Sequence, residues 1–263
     1  MQISGKVAVV TGGTRGIGRS IVDMLVKNGA RVVVSGINKS GEQVVKEINK
    51  QNNAKVAVFH MCDVSKLDEI KGLLDRAGTE FGGLDILVNN AGIGGSYIWT
   101  NPDSDELSKV IDTNLKAPIE GTRQAVELFY KSGNPGCVVN ISSVLGIIPS
   151  ELTAVYGATK AGLVMFTASA GPLAKGAPSI RVNSVAPIFI NTDMINKDAP
   201  DVITNHLRSF GERTPACVAM EVLRCIEDDS LAGETILMKQ TGPGLIHEMP
   251  KAESNGFIQF ICN

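Results

Sequence analysis

The sequence predicts an α/β chain: one doubly wound domain with a parallel seven-stranded sheet and helices on both faces. Three observations predict it. Short apolar runs rich in β-branched residues recur along the 263 residues without clean polar alternation, the pattern of strands covered on both sides. Stretches of helical period lie between them, and strand–helix alternation of this kind builds right-handed βαβ units. A glycine-rich turn, Thr11 to Gly18, follows the first run directly and opens the first helix.

The elements follow in order. Val7 to Val10 is the first strand. Ile17, Ile21 and Leu25 then share a helix face at i, i+4 and i+8. Arg31 to Ser35 is the second strand, and Ser40-x-x-Gln43 predicts a capping box ahead of Val44, Val45 and Ile48. Lys55 to His60 is the third strand, followed by a helical stripe of Leu67, Ile70, Leu74, Ala77 and Phe81. Asp85 to Asn89, Gly136 to Ile141, Ile180 to Ala186 and Thr235 to Lys239 complete the seven. No linker or low-complexity stretch divides them, so residues 1–263 read as a single domain, with a substrate lid expected at 189–215.

Composition excludes several classes. Lys and Arg number 25 against 27 Asp and Glu, a net charge of −2 with no basic block, which removes the electrostatic footprint of a nucleic-acid binder. The long uncharged stretch from Ser132 to Ser150 is broken by Pro, Gly and Asn, so no membrane segment is expected. The amino end lacks the features of a signal peptide. Cys62, Cys137, Cys217, Cys225 and Cys262 are scattered without a CxxC and read as free thiols in a reducing, cytoplasmic setting. His60, His206 and His247 are too far apart to suggest a metal motif.

Two groups of residues carry chemistry. In Thr11-Gly12-Gly13-Thr14-Arg15-Gly16-Ile17-Gly18 the glycines let backbone N–H groups approach a pyrophosphate at the helix amino terminus. In Tyr156-Gly157-Ala158-Thr159-Lys160 a phenol and an ammonium share a helix face. A fixed cation beside a phenol is expected to draw its pKa down toward neutrality. Ser143 ends the strand before that helix, on the side of the sheet where open α/β folds bind ligands.

These motifs resemble the short-chain dehydrogenase/reductase family over almost the whole chain, which implies a Rossmann domain. Thr11 to Gly18 is similar to the family's glycine motif, so the resemblance gives cofactor contacts to Gly12, Thr14, Arg15, Gly16, Ile17 and Gly18. It gives Asp63 and Val64 to the adenine, and Asn90, Ala91 and Gly92, within Asn89-Asn90-Ala91-Gly92, to the cofactor wall. Arg181 to Pro187 resembles the segment before the nicotinamide contacts Pro187, Ile190 and Thr192. The implied catalytic set is Asn114, Ser143, Tyr156 and Lys160. Tyr156 would act as general acid or base on the substrate oxygen, and Ser143 would hydrogen-bond the same oxygen. Lys160 would hold the nicotinamide ribose, and Asn114 would position a relay water.

The chain also departs from the family pattern. Ile188 stands where Gly usually follows Pro187. The carboxyl-terminal part, Ile226 to Gly233, is most similar to the 15-hydroxyprostaglandin dehydrogenase branch, but Thr153 replaces that branch's Gln. Gly36 stands where NAD-using relatives carry Asp. Arg15, helped by Ser35, Asn38 and Lys39, is expected to meet a 2′-phosphate instead, which favours NADP(H) over NAD(H). Met194, Ile195, Ile203, Leu207 and Phe210 in the lid, with Ser96, Tyr97 and Leu145 near the site, point to a small lipophilic ketone or secondary alcohol. Val164, Met165 and Phe166 suggest a homodimer or homotetramer. An NAD-dependent prostaglandin-type alcohol dehydrogenase and a 3-oxoacyl carrier-protein reductase are the alternative enzymes. A nucleotide sensor is disfavoured, because the catalytic set is complete.

Overall fold

The computed structural model describes residues 1–95, 104–190, 192 and 213–249. Eight strands form one sheet: β1 (Val7–Val10), β2 (Arg31–Gly36), β3 (Ala57–Met61), β4 (Ile86–Asn89), β5 (Gly136–Ile141), β6 (Ile180–Ala186), β7 (Thr235–Leu237) and β8 (Leu245–His247). Their spatial order is β3-β2-β1-β4-β5-β6-β7-β8. All pairings are parallel except β7 with β8. The α-helices among the described residues are α1 (Gly16–Lys27), α2 (Ser40–Asn52), α3 (Leu67–Phe81), α4 (Ser104–Ile111), α5 (Ala117–Ser132), α6 (Ala154–Ser169) and α7 (Pro215–Glu227).

Because successive strand residues point to opposite faces, β1 alone shows how the core divides. Ala8 and Val10 join Ile21 and Leu25 of α1, Ile48 of α2 and Val222 of α7 in one apolar cluster. Val7 and Val9 join Leu73 and Leu74 of α3 and Phe129 of α5 in the other. A sheet apolar on both faces needs both layers of helix, which is why the strand runs lack alternation.

The expected seven strands become eight. After β7 the chain turns through Gly242, at φ 72°, and β8 returns antiparallel along the sheet edge. Glu221 of α7 accepts from Gly244 N (2.7 Å), and Arg224 donates to Gly244 O (3.0 Å), fixing the turn. The third strand starts later than expected because the Asn49 carboxamide oxygen takes the N–H groups of Val56 and Ala57, both at 2.9 Å. The capping box does not form. Asn38 Oδ1 accepts from Ser40 N (3.1 Å), while Gln43 pairs forward with Glu47 (3.0 Å).

The strand order reverses between β1 and β4, so their carboxyl ends open a crevice between the two halves of the sheet. The segments after β1, β4 and β5 all emerge at that end, and they carry the glycine turn, residues 90–92 and Ser143.

Candidate active site

The glycine turn is held from the neighbouring strand. Thr11 Oγ1 accepts from the N–H groups of Asn90 (2.9 Å) and Ala91 (3.0 Å). Asn90 Nδ2 donates to Thr11 O (2.8 Å) and Gly12 O (3.1 Å). Gly12 (φ 61°) and Gly16 (φ 56°) adopt left-handed backbone, which other residues resist. A Cβ on Gly18 would collide with Gly12 O and Asn90 Nδ2, so only glycine lets α1 meet the turn there.

This turn fits the phosphates of a nucleotide. Arg15 is the N-cap of α1 and its side chain makes no capping hydrogen bond, and the first turn holds no acidic residue. Its positive end is therefore left for a phosphate. Thr192 closes one side: a Cβ on Gly16 would lie 3.5 Å from its Cγ2. Ile17 packs on the core cluster above α1. Arg15 is exposed.

At the far end of β2, Gly36 faces Thr14. A Cβ there would sit 2.9 Å from Thr14 Cγ2 and 3.2 Å from its Oγ1. Asn38 spends its carboxamide oxygen on the start of α2, leaving the amide nitrogen as the donor it can offer a phosphate. Ser35 corrects an expectation. It is fully buried with its hydroxyl beside the Cys62 thiol, so β2 holds it away from any phosphate reached from solvent. Asp63 is half-buried, and its Oδ1 accepts from Ser65 N (3.1 Å) and Ser65 Oγ (2.7 Å). Val64 is buried in the core.

Deeper in the crevice, α5 is preceded by a π-helical turn, Asp112–Lys116, that carries Asn114. Wide turns of this kind present side chains that a regular helix would turn away. Asn114 is fully buried. Its Oδ1 accepts from Ile93 N (2.9 Å) and its Nδ2 donates to Ile93 O (2.8 Å). A Cβ on Gly92 would lie 3.3 Å from Asn114 Oδ1 and 3.6 Å from Lys160 Nζ. The fold thus gathers Gly92, Asn114 and Lys160, which are far apart in sequence.

Lys160 is 4 % exposed and donates to Ile141 O at 2.7 Å. Burial lowers its pKa to about 8, because an ammonium loses more on leaving water than an amine. Its Nζ lies 5.6 Å from the centroid of the Tyr156 ring. Burial raises the Tyr156 pKa, opposed by the hydrogen bond with the Ser143 side chain. The expectation that Lys160 draws this phenol down toward neutrality is therefore not met. The ammonium is turned to the Ile141 carbonyl, and desolvation of the phenolate wins.

Ser143 Oγ accepts from Leu145 N (3.1 Å), capping a short 3-10 turn at Val144–Gly146. Val144 N donates to Pro187 O (2.9 Å), tying this loop to the end of β6. Pro187, Phe189 and Ile190 are buried and Ile188 is partly exposed. The Ile190 side chain belongs to the core, and its backbone is bridged to that of Arg213. Ser96, Tyr97 and the lid residues Met194, Ile195, Ile203, Leu207 and Phe210 lie outside the described residues.

Two contributors escaped the sequence reading. Ile93 serves through its backbone, which leaves no signal in residue type. Ser142 carried one, a second serine beside Ser143. Among the described residues there is no cluster able to hold a metal ion and no helix long and apolar enough to cross a membrane. Cys62, Cys137 and Cys225 are buried free thiols and Cys217 is half-buried, whereas Cys262 lies outside the described residues.

Comparison with known proteins matches the short chain dehydrogenase family model to residues 6–202. The human (Homo sapiens) 15-hydroxyprostaglandin dehydrogenase (NAD(+)) is 32% identical over 262 residues, covering 94% of this chain and 95% of the relative. A 3-oxoacyl-acyl-carrier-protein reductase of Chlamydia muridarum is 38% identical over 192 residues, covering 72% and 75%. The short chain dehydrogenase helC of Aspergillus fumigatus is 32% identical over 259 residues, covering 92% and 98%.

Proposed function

The chain belongs to the short-chain dehydrogenase/reductase family, and from that premise we propose that it uses NADP(H) to reduce a small lipophilic ketone to a secondary alcohol. It is an NAD(P)-dependent oxidoreductase acting on alcohol or carbonyl groups; the cofactor choice, direction and residue roles are our reading. The observation that carries it is the cluster of Lys160, Asn114 and Gly92 beside Tyr156, past the carboxyl ends of β4 and β5.

When bound, the nicotinamide supplies the hydride to the carbonyl carbon. The protein's part is to bind, orient and protonate. Tyr156, kept neutral by burial, donates its proton to the substrate oxygen. Ser143 Oγ accepts from Leu145 N, and its O–H, within hydrogen-bond reach of Tyr156, would hold the same oxygen. Lys160 would hold the nicotinamide ribose hydroxyls and the positive potential at the site. Asn114, locked at both polar atoms to Ile93, is a fixed point for a relay water. Gly12, Thr14, Arg15, Gly16, Gly18, Asp63, Asn90, Ala91 and Thr192 would line the dinucleotide.

Arg15 and Gly36 support NADP(H). An exposed guanidinium at the turn suits a bidentate phosphate contact, and Gly36 brings no carboxylate to repel one. A second reading, NAD-dependent oxidation of a secondary alcohol, is favoured by the NAD(+) named for the prostaglandin dehydrogenases that match along 94% of the chain. Titration with NADPH and NADH, followed by nicotinamide fluorescence, separates them. Tighter NADPH supports reduction. Tighter NADH overturns it and directs screening to secondary alcohols.

The same reasoning extends to assembly. Of the three residues expected at a contact, Val164 is buried in the core and Phe166 is partly buried, which leaves Met165, 56 % exposed, on the outer face of α6 with Ala158 and Ala161. The one charged residue of that helix, Lys160, is buried. A solvent-facing helix surface without charge fits an isologous contact with a second copy.

A further inference from the structure

We propose that Ser142 is a positioning residue for catalysis, setting Ser143 and Lys160 in register with Tyr156; this rests on the reading above, in which Ser143 and Tyr156 share the substrate oxygen. The two come from different elements. Ser143 ends the segment after β5, whereas Tyr156 lies in the first turn of α6. Their separation is therefore set by whatever locks loop to helix.

Ser142 is 2 % exposed, and its Oγ donates to Lys160 O at 2.9 Å. Its N–H donates to Val185 O at 2.8 Å, so the backbone is fixed to the sheet and the side chain to the helix. Lys160 answers in the opposite sense, with Nζ donating to Ile141 O at 2.7 Å. Residues 141 and 142 are thus clasped to residue 160 from both directions. The ammonium half of that clasp is given up whenever Lys160 turns to a ligand. The Ser142 half involves a neutral hydroxyl and a main-chain carbonyl, and it persists.

The surrounding backbone makes this register tight. A Cβ on Gly146 would lie 2.6 Å from the Lys160 carbonyl carbon and 2.8 Å from its oxygen. A Cβ on Gly157 would lie 2.9 Å from Leu145 O. The 3-10 turn therefore rests main chain on main chain against α6. With no side chains as cushion there, loss of the Ser142 hydroxyl lets the turn slide, and Ser143 moves relative to Tyr156.

The test uses Ser142→Ala in the full chain, with NADPH and whichever of a panel of lipophilic ketones the parent enzyme reduces fastest. The expected kcat falls on the order of tenfold to a hundredfold, as for sub-ångström misplacement of reacting groups. NADPH affinity and KM stay within about twofold, the split expected when a transition-state contact alone is lost. Ser142→Thr, which keeps the hydroxyl, restores kcat. Gly146→Ala, which pushes the same turn off α6, reproduces the split. A Ser142→Ala enzyme with parental kcat overturns the proposal. So does one that no longer binds NADPH, because that makes Ser142 merely structural. Tyr156→Phe separates the levels: if it retains parental turnover, the reading beneath falls as well, and if it is inactive, only the Ser142 role is in question.

Discussion

Lys160 shows at the residue scale how burial sets chemistry. An ammonium 4 % exposed, with its pKa lowered to about 8, stays charged at neutral pH but not far above it. The sign is fixed by burial: the charge is present below about 8 and lost above it, so kcat/KM for reduction is expected to fall as pH rises through that value. A profile flat from neutrality into the alkaline range would contradict this role. Stability moves the other way. The unfolded chain carries the ordinary lysine pKa of 10.5 and binds the proton more tightly than the folded one. Relative to Lys160→Met, the parent protein should therefore gain stability between about 8 and 10.5. The limiting slope is about 1.4 kcal/mol per pH unit, readable from urea midpoints. Tyr156 gives the second residue-scale prediction. Tyr156→Phe keeps the ring packing and removes the proton, so it should bind NADPH normally and lose about a hundredfold or more in turnover. Parental turnover would remove Tyr156 from the mechanism.

Elements decide the cofactor. The glycine turn was legible because left-handed backbone and close approach both demand glycine, and Gly12, Gly16 and Gly18 meet those demands in the structure. Contacts between elements were not legible. Nothing in the residue string says that Gly36 of β2 looks onto Thr14, or that Ser35 points into the core. The capping box failed for a related reason: Asn38, two residues before Ser40, reached that N–H first. Arg15→Ala is expected to weaken NADPH by about 1.5–3 kcal/mol, the range for a hydrogen bond to a charged group, and to leave NADH unchanged. Equal loss for both cofactors would mean that Arg15 does not read the 2′-phosphate. Gly36→Asp alone should weaken both cofactors, because its Cβ crowds Thr14. Gly36→Asp combined with Thr14→Ala should bind NADH better than the parent, and failure to do so would place the discrimination elsewhere.

At the scale of the whole molecule the sheet order matters most. The reversal between β1 and β4 collects three sequence-distant segments at one crevice, and the antiparallel β8 covers the β7 edge. The remaining apolar surface includes the outer face of α6. If a second copy covers it, light scattering will report at least a dimer, and Met165→Arg, at a position 56 % exposed in the single chain, will shift the mass toward monomer without loss of fold. A monomeric parent protein would show that the face has no such partner.

The sequence by itself determined the class of fold, the glycine turn and the pairing of Tyr156 with Lys160, because each depends on local periodicity or on what one residue type can do. Tertiary structure alone decided the state of those groups. It buried Lys160 and turned its ammonium to Ile141, and the phenol's own burial raised the Tyr156 pKa where the residue pattern predicts it lowered. It also brought Asn114 to Gly92, withdrew Ser35 and clasped Ser142 to α6. Charge state and register depend on desolvation and on which main-chain carbonyl lies within reach, and both exist only once the chain is packed.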